Sequence, residues 1–123
     1  MAADKALDFP KRGEVYLVNF DPTVGAEIRK TRPALVLQND VANRYSPITI
    51  VAAVTSHFEE PLYPTEVLLA GGEGGMSVAS VVLLNQIRSI DKGRLIKRLG
   101  ALRPSTMEKI DRALCISLGL VAL

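Results

Sequence analysis

Ile48-Thr-Ile-Val-Ala-Ala-Val-Thr55 is the longest apolar run in the chain, and how it is read decides the fold. Its length suits a strand better than a helix, and its lack of polar alternation marks a central strand buried on both faces. Toward the N-terminus, Pro33 to Gln38 forms a second strand, with Pro33 at the first position, where a missing N–H is tolerated. Before it, Glu14-Val-Tyr-Leu-Val-Asn-Phe20 is a third strand that ends at the turn starter Asp21-Pro22. Asn39 to Ser46 is polar and reads as one helical turn. Toward the C-terminus, Glu66 to Leu69 and Ser80 to Leu84 are strands either side of Gly71-Gly-Glu-Gly-Gly75. That glycine run lacks the Lys-Ser/Thr of a phosphate loop and reads as a flexible hairpin. A short helix at Asp91 to Leu95 and a last strand from Ile96 follow.

The clearest helix is the terminal one. Ser105-Thr-Met-Glu108, after Pro104, has the pattern of a capping box. Met107, Ile110, Leu114 and Val121 share a face with Cys115 and Leu118 beside it, and Glu108, Lys109, Asp111 and Arg112 point away. Many short strands followed by a helix indicate an α+β fold, a small antiparallel β-barrel with short helices and a C-terminal amphipathic helix.

The 123 residues, 48% hydrophobic, suffice for one domain with a single core, expected over 11–123 behind a flexible leader at 1–10. One cysteine, Cys115, excludes an intrachain disulfide framework and a multi-thiolate zinc site. One histidine, His57, excludes a two-histidine acid/base pair within the chain and a multi-histidine metal site. A net charge of +2 permits a polyanionic partner but is too small for binding by charge alone. The N-terminus has no signal-peptide pattern, and no apolar run approaches the roughly 20 residues of a membrane span. With a lone thiol, the cytoplasm is the expected compartment.

Two places offer chemistry. Thr23 to Pro33 is a long connection that carries Arg29, Lys30 and Arg32, whose cationic groups match phosphate oxygens. The same cluster also reads as a solvated hairpin tip. Thr55-Ser56-His57 brings two hydroxyls and an imidazole out of the most apolar strand. Ser56 and His57 are adjacent and point to opposite faces, which argues against a Ser–His nucleophile pair and leaves His57 as a surface residue. Thr55 reads either as an ordinary β-branched strand residue or as a functional hydroxyl. Asn85-Gln-Ile-Arg88 adds amide and guanidinium donors suited to base edges and phosphates.

Taken in order, these residues resemble a known family. Lys11-Arg-Gly-Glu-Val-Tyr16, Gly25-Ala-Glu27, Arg32-Pro-Ala-Leu-Val36 and Asn39-Asp40 are similar to the opening of MazF/PemK-type toxin endoribonucleases. Asn43-Arg44, Ser46-Pro47, Ile50 to Thr55, Pro64-Thr65, Gln86-Ile-Arg88 and Ile90-Asp91-Lys92 continue the likeness over about residues 11 to 121. The resemblance implies an SH3-like barrel, a homodimer, and metal-independent, cofactor-free cleavage of single-stranded RNA at short motifs, leaving a 2′,3′-cyclic phosphate and a 5′-hydroxyl. It implies Arg32 and Thr55 as the catalytic pair. The RNA-contacting set it implies is Phe20, for stacking, with Glu27, Arg29, Lys30, Ser56, Pro64, Thr65, Asn85, Gln86 and Arg88. A MazE-like antitoxin, whose acidic tail covers the RNA groove, is the implied protein partner.

Such a site is economical because RNA brings its own nucleophile, the 2′-hydroxyl. The protein has only to align that oxygen with the phosphorus and stabilise the charge that develops. A guanidinium suits the second task better than proton donation to the leaving oxygen. Two departures from relatives bear on the recognised motif: Ala26 stands where many carry a hydroxyl, and Asn85 where some carry an acid. Barrels of this kind also serve non-enzymatic toxins that act by protein contact. Arg32 and Thr55 are what a ribonuclease needs and such a binder does not.

Overall fold

The computed structural model describes residues 8–22, 25–26 and 30–122. Six strands form one antiparallel sheet: β1 (Glu14–Asn19), β2 (Thr31–Val36), β3 (Ile48–Thr55), β4 (Glu66–Leu69), β5 (Ser80–Asp91) and β6 (Leu95–Ala101). Their order is β4-β5-β3-β2-β1-β6. Helix α1 (Asp40–Tyr45) joins β2 to β3, and α2 (Pro104–Ser117) follows β6. The α+β class is as the sequence implies, and β3 and β4 have the bounds read from their apolar runs.

Central strand β3 is buried on both faces because a separate apolar cluster covers each. Leu35, Leu37, Ala52, Val54 and Leu84 pack against Ile110 and Ala113 of α2. On the opposite face, Ala34, Val36, Val51 and Ala53 pack with Val18, Phe20 and Ile90. The alternation along β2 and β3 thus assigns one set of side chains to α2 and the other to the face opposite α2. Pro33 is third in β2, not first. Its carbonyl neighbours Lys30 and Val36 accept from Phe20 and Gly13 on the β1 side, so the position of its missing N–H is turned toward β3. The β2–β3 ladder begins only at Ala34, so Pro33 sits where that pairing stops.

Among the described residues no ladder joins β4 to β6, so the barrel is not closed by hydrogen bonds. The glycine run fills that gap. Glu73–Gly75 forms a 3₁₀ turn that packs on β6, and is not a free hairpin. A Cβ on Gly75 would lie 2.1 Å from the Leu99 carbonyl oxygen, and one on Gly100 would lie 2.6 Å from the Gly74 carbonyl carbon. Backbone thus approaches backbone closely enough that only glycine fits.

Three further expectations are corrected. Strand β5 does not stop at Leu84: a bulge lets it change register and run on to Asp91, the polar residues after Leu84 notwithstanding. Helical structure near Asp91 is limited to a 3₁₀ turn at Lys92–Arg94, and β6 starts directly at Leu95. Helix α2 begins with Arg103 as N-cap and Pro104 in the first turn, so Ser105 lies inside the helix and the capping box is not formed. Val121 and Leu118 lie beyond the last helical residue and are exposed.

The acid at the start of α2 comes instead from Glu73, which accepts from the Arg103 backbone N–H at 3.2 Å and its guanidinium at 3.0 Å. Burial pushes the Glu73 carboxyl up, but hydrogen bonds from Thr106 and Arg103, with the charge of Arg103, outweigh it and hold the carboxyl below the usual glutamate value. A carboxyl with a depressed folded value stabilises the protein above its unfolded pKa of about 4.3, and this contribution is lost as pH falls through the lower folded value. Glu73→Gln is therefore expected to lower the urea midpoint at pH 7, with the gap to wild type narrowing as pH falls below about 4. A gap of equal size at pH 7 and pH 3 would contradict the assignment.

Candidate nucleic-acid interface

Arg32 and Thr55 meet through strand register. The β2–β3 ladder pairs Val36 with Val51, Leu35 with Ala52 and Ala34 with Ala53. Carried on by two residues, the same register sets Arg32 opposite Thr55. Both continue the alternation of Ala34 and Ala53, so they lie on the face opposite α2, just past the edge of its apolar cluster. Arg32 is also paired with Val18 across β1 and is half-buried.

The Thr55 hydroxyl closes the end of β3. Its oxygen accepts from the His57 backbone N–H at 3.0 Å, and its own contact to the His57 carbonyl is long, at 3.4 Å. The hydroxyl proton is thus only weakly engaged and can be given to an incoming oxygen. Ser56 and His57 are exposed beside it.

Next to Arg32, two arginines hold the chain as it leaves β1. Arg88 donates to the Phe20 carbonyl at 3.0 Å, with its guanidinium 5.5 Å from the Phe20 ring centre. Arg94, in the 3₁₀ turn, donates to the carbonyls of Asn19, at 3.1 Å, and Asp21. On the other side of the loop, Phe20 N–H donates to the Lys30 carbonyl at 2.9 Å, and Lys30 N–H donates to the Asp21 carboxylate at 2.9 Å. Lys30 itself is exposed, at φ 64°.

Phe20 corrects an expectation: it is fully buried, so its ring is unavailable for stacking on a base and serves as the floor under Arg88. Its place at the end of a strand suggested access, but the alternation of β1 turns it into the core with Val18. Glu27 and Arg29 lie outside the described residues.

Asn85 and Gln86 sit in the β5 bulge, between the pairs Ala53–Leu83 and Ala52–Ile87. With Ile87, Arg88 and Ala26 they line an open pocket of about 310 Å³, which joins the bulge to the loop after β1. Thr65 adjoins the bulge through its carbonyl, which accepts from Leu84 N–H at 2.9 Å. Pro64 lines a different groove, between β4 and α2, with Lys109 and Arg112. The structure therefore gathers Arg32, Thr55, Lys30 and Arg88 around the face opposite α2 and the loop neck, and Asn85 and Gln86 in the adjoining pocket. Among the described residues no group of three or more His, Cys, Asp or Glu side chains is placed to hold a metal ion. Sequence reasoning missed Arg94 and Asp21; their roles run through backbone carbonyls and a backbone N–H, which no side-chain motif reports.

Comparison with known proteins gives a consistent result. Residues 11–118 match the family described as PemK-like, MazF-like toxin of type II toxin–antitoxin system. The chain is 46% identical over 111 residues to Endoribonuclease EndoA of Bacillus subtilis (strain 168), covering 90% of this chain and 96% of that protein. It is similar to the crystal structure of MazF from Deinococcus radiodurans, with a TM-score of 0.78 at 31% identity, over 90% of this chain and 97% of that one. A mycobacterial endoribonuclease solved in complex with its cognate antitoxin matches with a TM-score of 0.77 at 26% identity, over 93% and 99%.

Proposed function

The chain belongs to the PemK-like, MazF-like toxin family of type II toxin–antitoxin systems, and from that premise we propose that it is a metal-independent endoribonuclease acting on single-stranded RNA. The observation that carries this reading is the shared face of Arg32 and Thr55 at the ends of neighbouring strands. A phosphate placed between them would receive a fixed positive charge from one side and a hydroxyl hydrogen bond from the other.

In the proposed reaction the RNA 2′-hydroxyl attacks the adjacent phosphorus. The P–O5′ bond breaks, giving a 2′,3′-cyclic phosphate and a 5′-hydroxyl, with the proton lost from the 2′-oxygen passing to solvent and O5′ taking one up from it. Arg32 stabilises charge on the non-bridging oxygens, Thr55 donates to one of them, and the two together hold the phosphate for in-line attack. Lys30 and Arg88 supply positive charge along the backbone path, Ser56 offers a hydroxyl beside Thr55, and Asn85 and Gln86 present amides to bases in the adjoining pocket. A second copy of the chain would cover the exposed Leu118, Leu120 and Val121 after α2. A cognate antitoxin, as the mycobacterial relative has, would occlude the cationic face here if it brought an acidic segment, by charge complementarity. No helix among the described residues is long and apolar enough to cross a membrane, and the cytoplasm is the proposed compartment.

Incubation with a long single-stranded RNA in EDTA tests the reading, with discrete fragments ending in cyclic phosphate expected. An RNA with one 2′-deoxy sugar at the mapped cut should bind and stay intact. Cleavage of that RNA would exclude 2′-hydroxyl attack, and retention of every RNA without cleavage would make the protein a binding module.

A further inference from the structure

Asn19 ends the β1–β2 ladder opposite Thr31, Phe20 and Asp21 follow it, and arginines from elsewhere in the chain take the carbonyls of all three. Arg94 takes the first and third, and Arg88 the second. The donors stand on firm ground. Arg88 is in β5 opposite Val51, and Arg94 closes a 3₁₀ turn capped by Asp91, whose carboxylate accepts from Gly93 N–H at 2.7 Å. The opposite side of the neck is tied in by the two backbone N–H donations at Phe20 and Lys30. Arg32 follows Lys30 by two residues and pairs with Val18, the residue before Asn19.

We propose that Arg94 is a positioning residue for the ribonuclease reaction: by bridging the Asn19 and Asp21 carbonyls it fixes the neck of the β1–β2 connection and so the place of Arg32 relative to Thr55. This rests on the ribonuclease reading of Arg32. One guanidinium nitrogen bridges two carbonyls of the neck, so losing it loosens the neck without removing a group proposed to touch RNA. Misplacement of a reacting group by about 1 Å costs on the order of a hundredfold in rate. Loss of the bridge should therefore appear in turnover and not in binding.

The test compares Arg94→Ala and Arg94→Lys with Arg98→Ala, which removes a cation on β6 that pairs with Glu14 away from the neck. Arg94→Ala is expected to lower kcat on a mapped RNA roughly 10- to 100-fold. Its KM, and its affinity for the RNA with a single 2′-deoxy sugar, should stay within about threefold of wild type. Arg94→Lys, which keeps charge and a donor, should recover part of kcat, and Arg98→Ala should keep all of it. Equal kcat for Arg94→Ala and Arg98→Ala would overturn the proposal, as would a parallel fall of kcat, RNA affinity and melting temperature, which would mark a purely structural role. Should Arg94→Ala fail to fold, Arg94→Gln is read by the same criteria. A wild-type protein that cuts no RNA would instead remove the ribonuclease reading itself, a result separable from all of these.

Discussion

Arg32→Ala is expected to reduce RNA cleavage by at least about 10²- to 10³-fold, the cost of removing one preorganised stabiliser of transition-state charge, while the protein stays folded. Arg32 is half-buried near the start of β2, with its alternation partners Ala34 and Val36 in the apolar cluster of the face opposite α2. Truncation removes a charged group at the edge of that cluster and leaves its buried side chains in place, so the sheet should persist. Arg32→Lys discriminates further. It keeps the charge but loses the planar fork that meets two phosphate oxygens at once, and should fall between wild type and alanine. Cleavage would be followed on a labelled RNA in EDTA, with a thermal melt on each variant. Full activity in Arg32→Ala would remove Arg32 from the reaction.

The second large effect concerns stability. Gly75→Ala is expected to destabilise the protein by about 3 kcal/mol or more, from a strained positive φ together with a steric overlap that the backbone must relieve. Gly75 sits at φ 79°, and the added methyl would fall 2.1 Å from the Leu99 carbonyl oxygen. Small domains are stable by only about 5–15 kcal/mol, so a fall of about 10 °C in melting temperature is expected. Gly72→Ala is the internal comparison, because Gly72 also has positive φ, 95°, but nothing lies within 4 Å of its Cβ position. It should lose only the conformational part, about 1 kcal/mol. Equal losses at the two positions would show that the contact with β6 carries no stability.

Much of this architecture is legible in the sequence where one local rule governs it. The apolar run of β3 and the bounds of β4 follow from burial, and Asn39 caps α1 by accepting from Ala42 N–H at 2.9 Å, as its type and place suggest. What could not be read depends on partners distant in sequence. The continuation of β5 requires a bulge, because Asn85 and Gln86 interrupt the apolar pattern that would otherwise carry the strand forward. The carboxylate at the start of α2 belongs to Glu73, some 30 residues upstream, where the local Ser105–Glu108 pattern points to Glu108. Within the candidate site, Arg32 and Thr55 are singled out by the family resemblance, and strand register sets them on one face. Phe20 was misjudged because exposure at a strand end depends on which face the last residue takes. Arg94 was invisible because it acts on carbonyls, which are the same in every sequence.

The β5 bulge has a consequence for how such a protein can change over time. Leu84, Asn85 and Gln86 fall between two paired positions of β3 and take no part in that ladder. Of the three, Leu84 is committed to the core, and Asn85 is exposed at the pocket. The side chain offered at that point can therefore be exchanged without surrendering a sheet hydrogen bond or a core contact. On the proposed reading, in which Asn85 faces a base, the side chain that meets the RNA can change while β3, which carries Thr55, stays where it is.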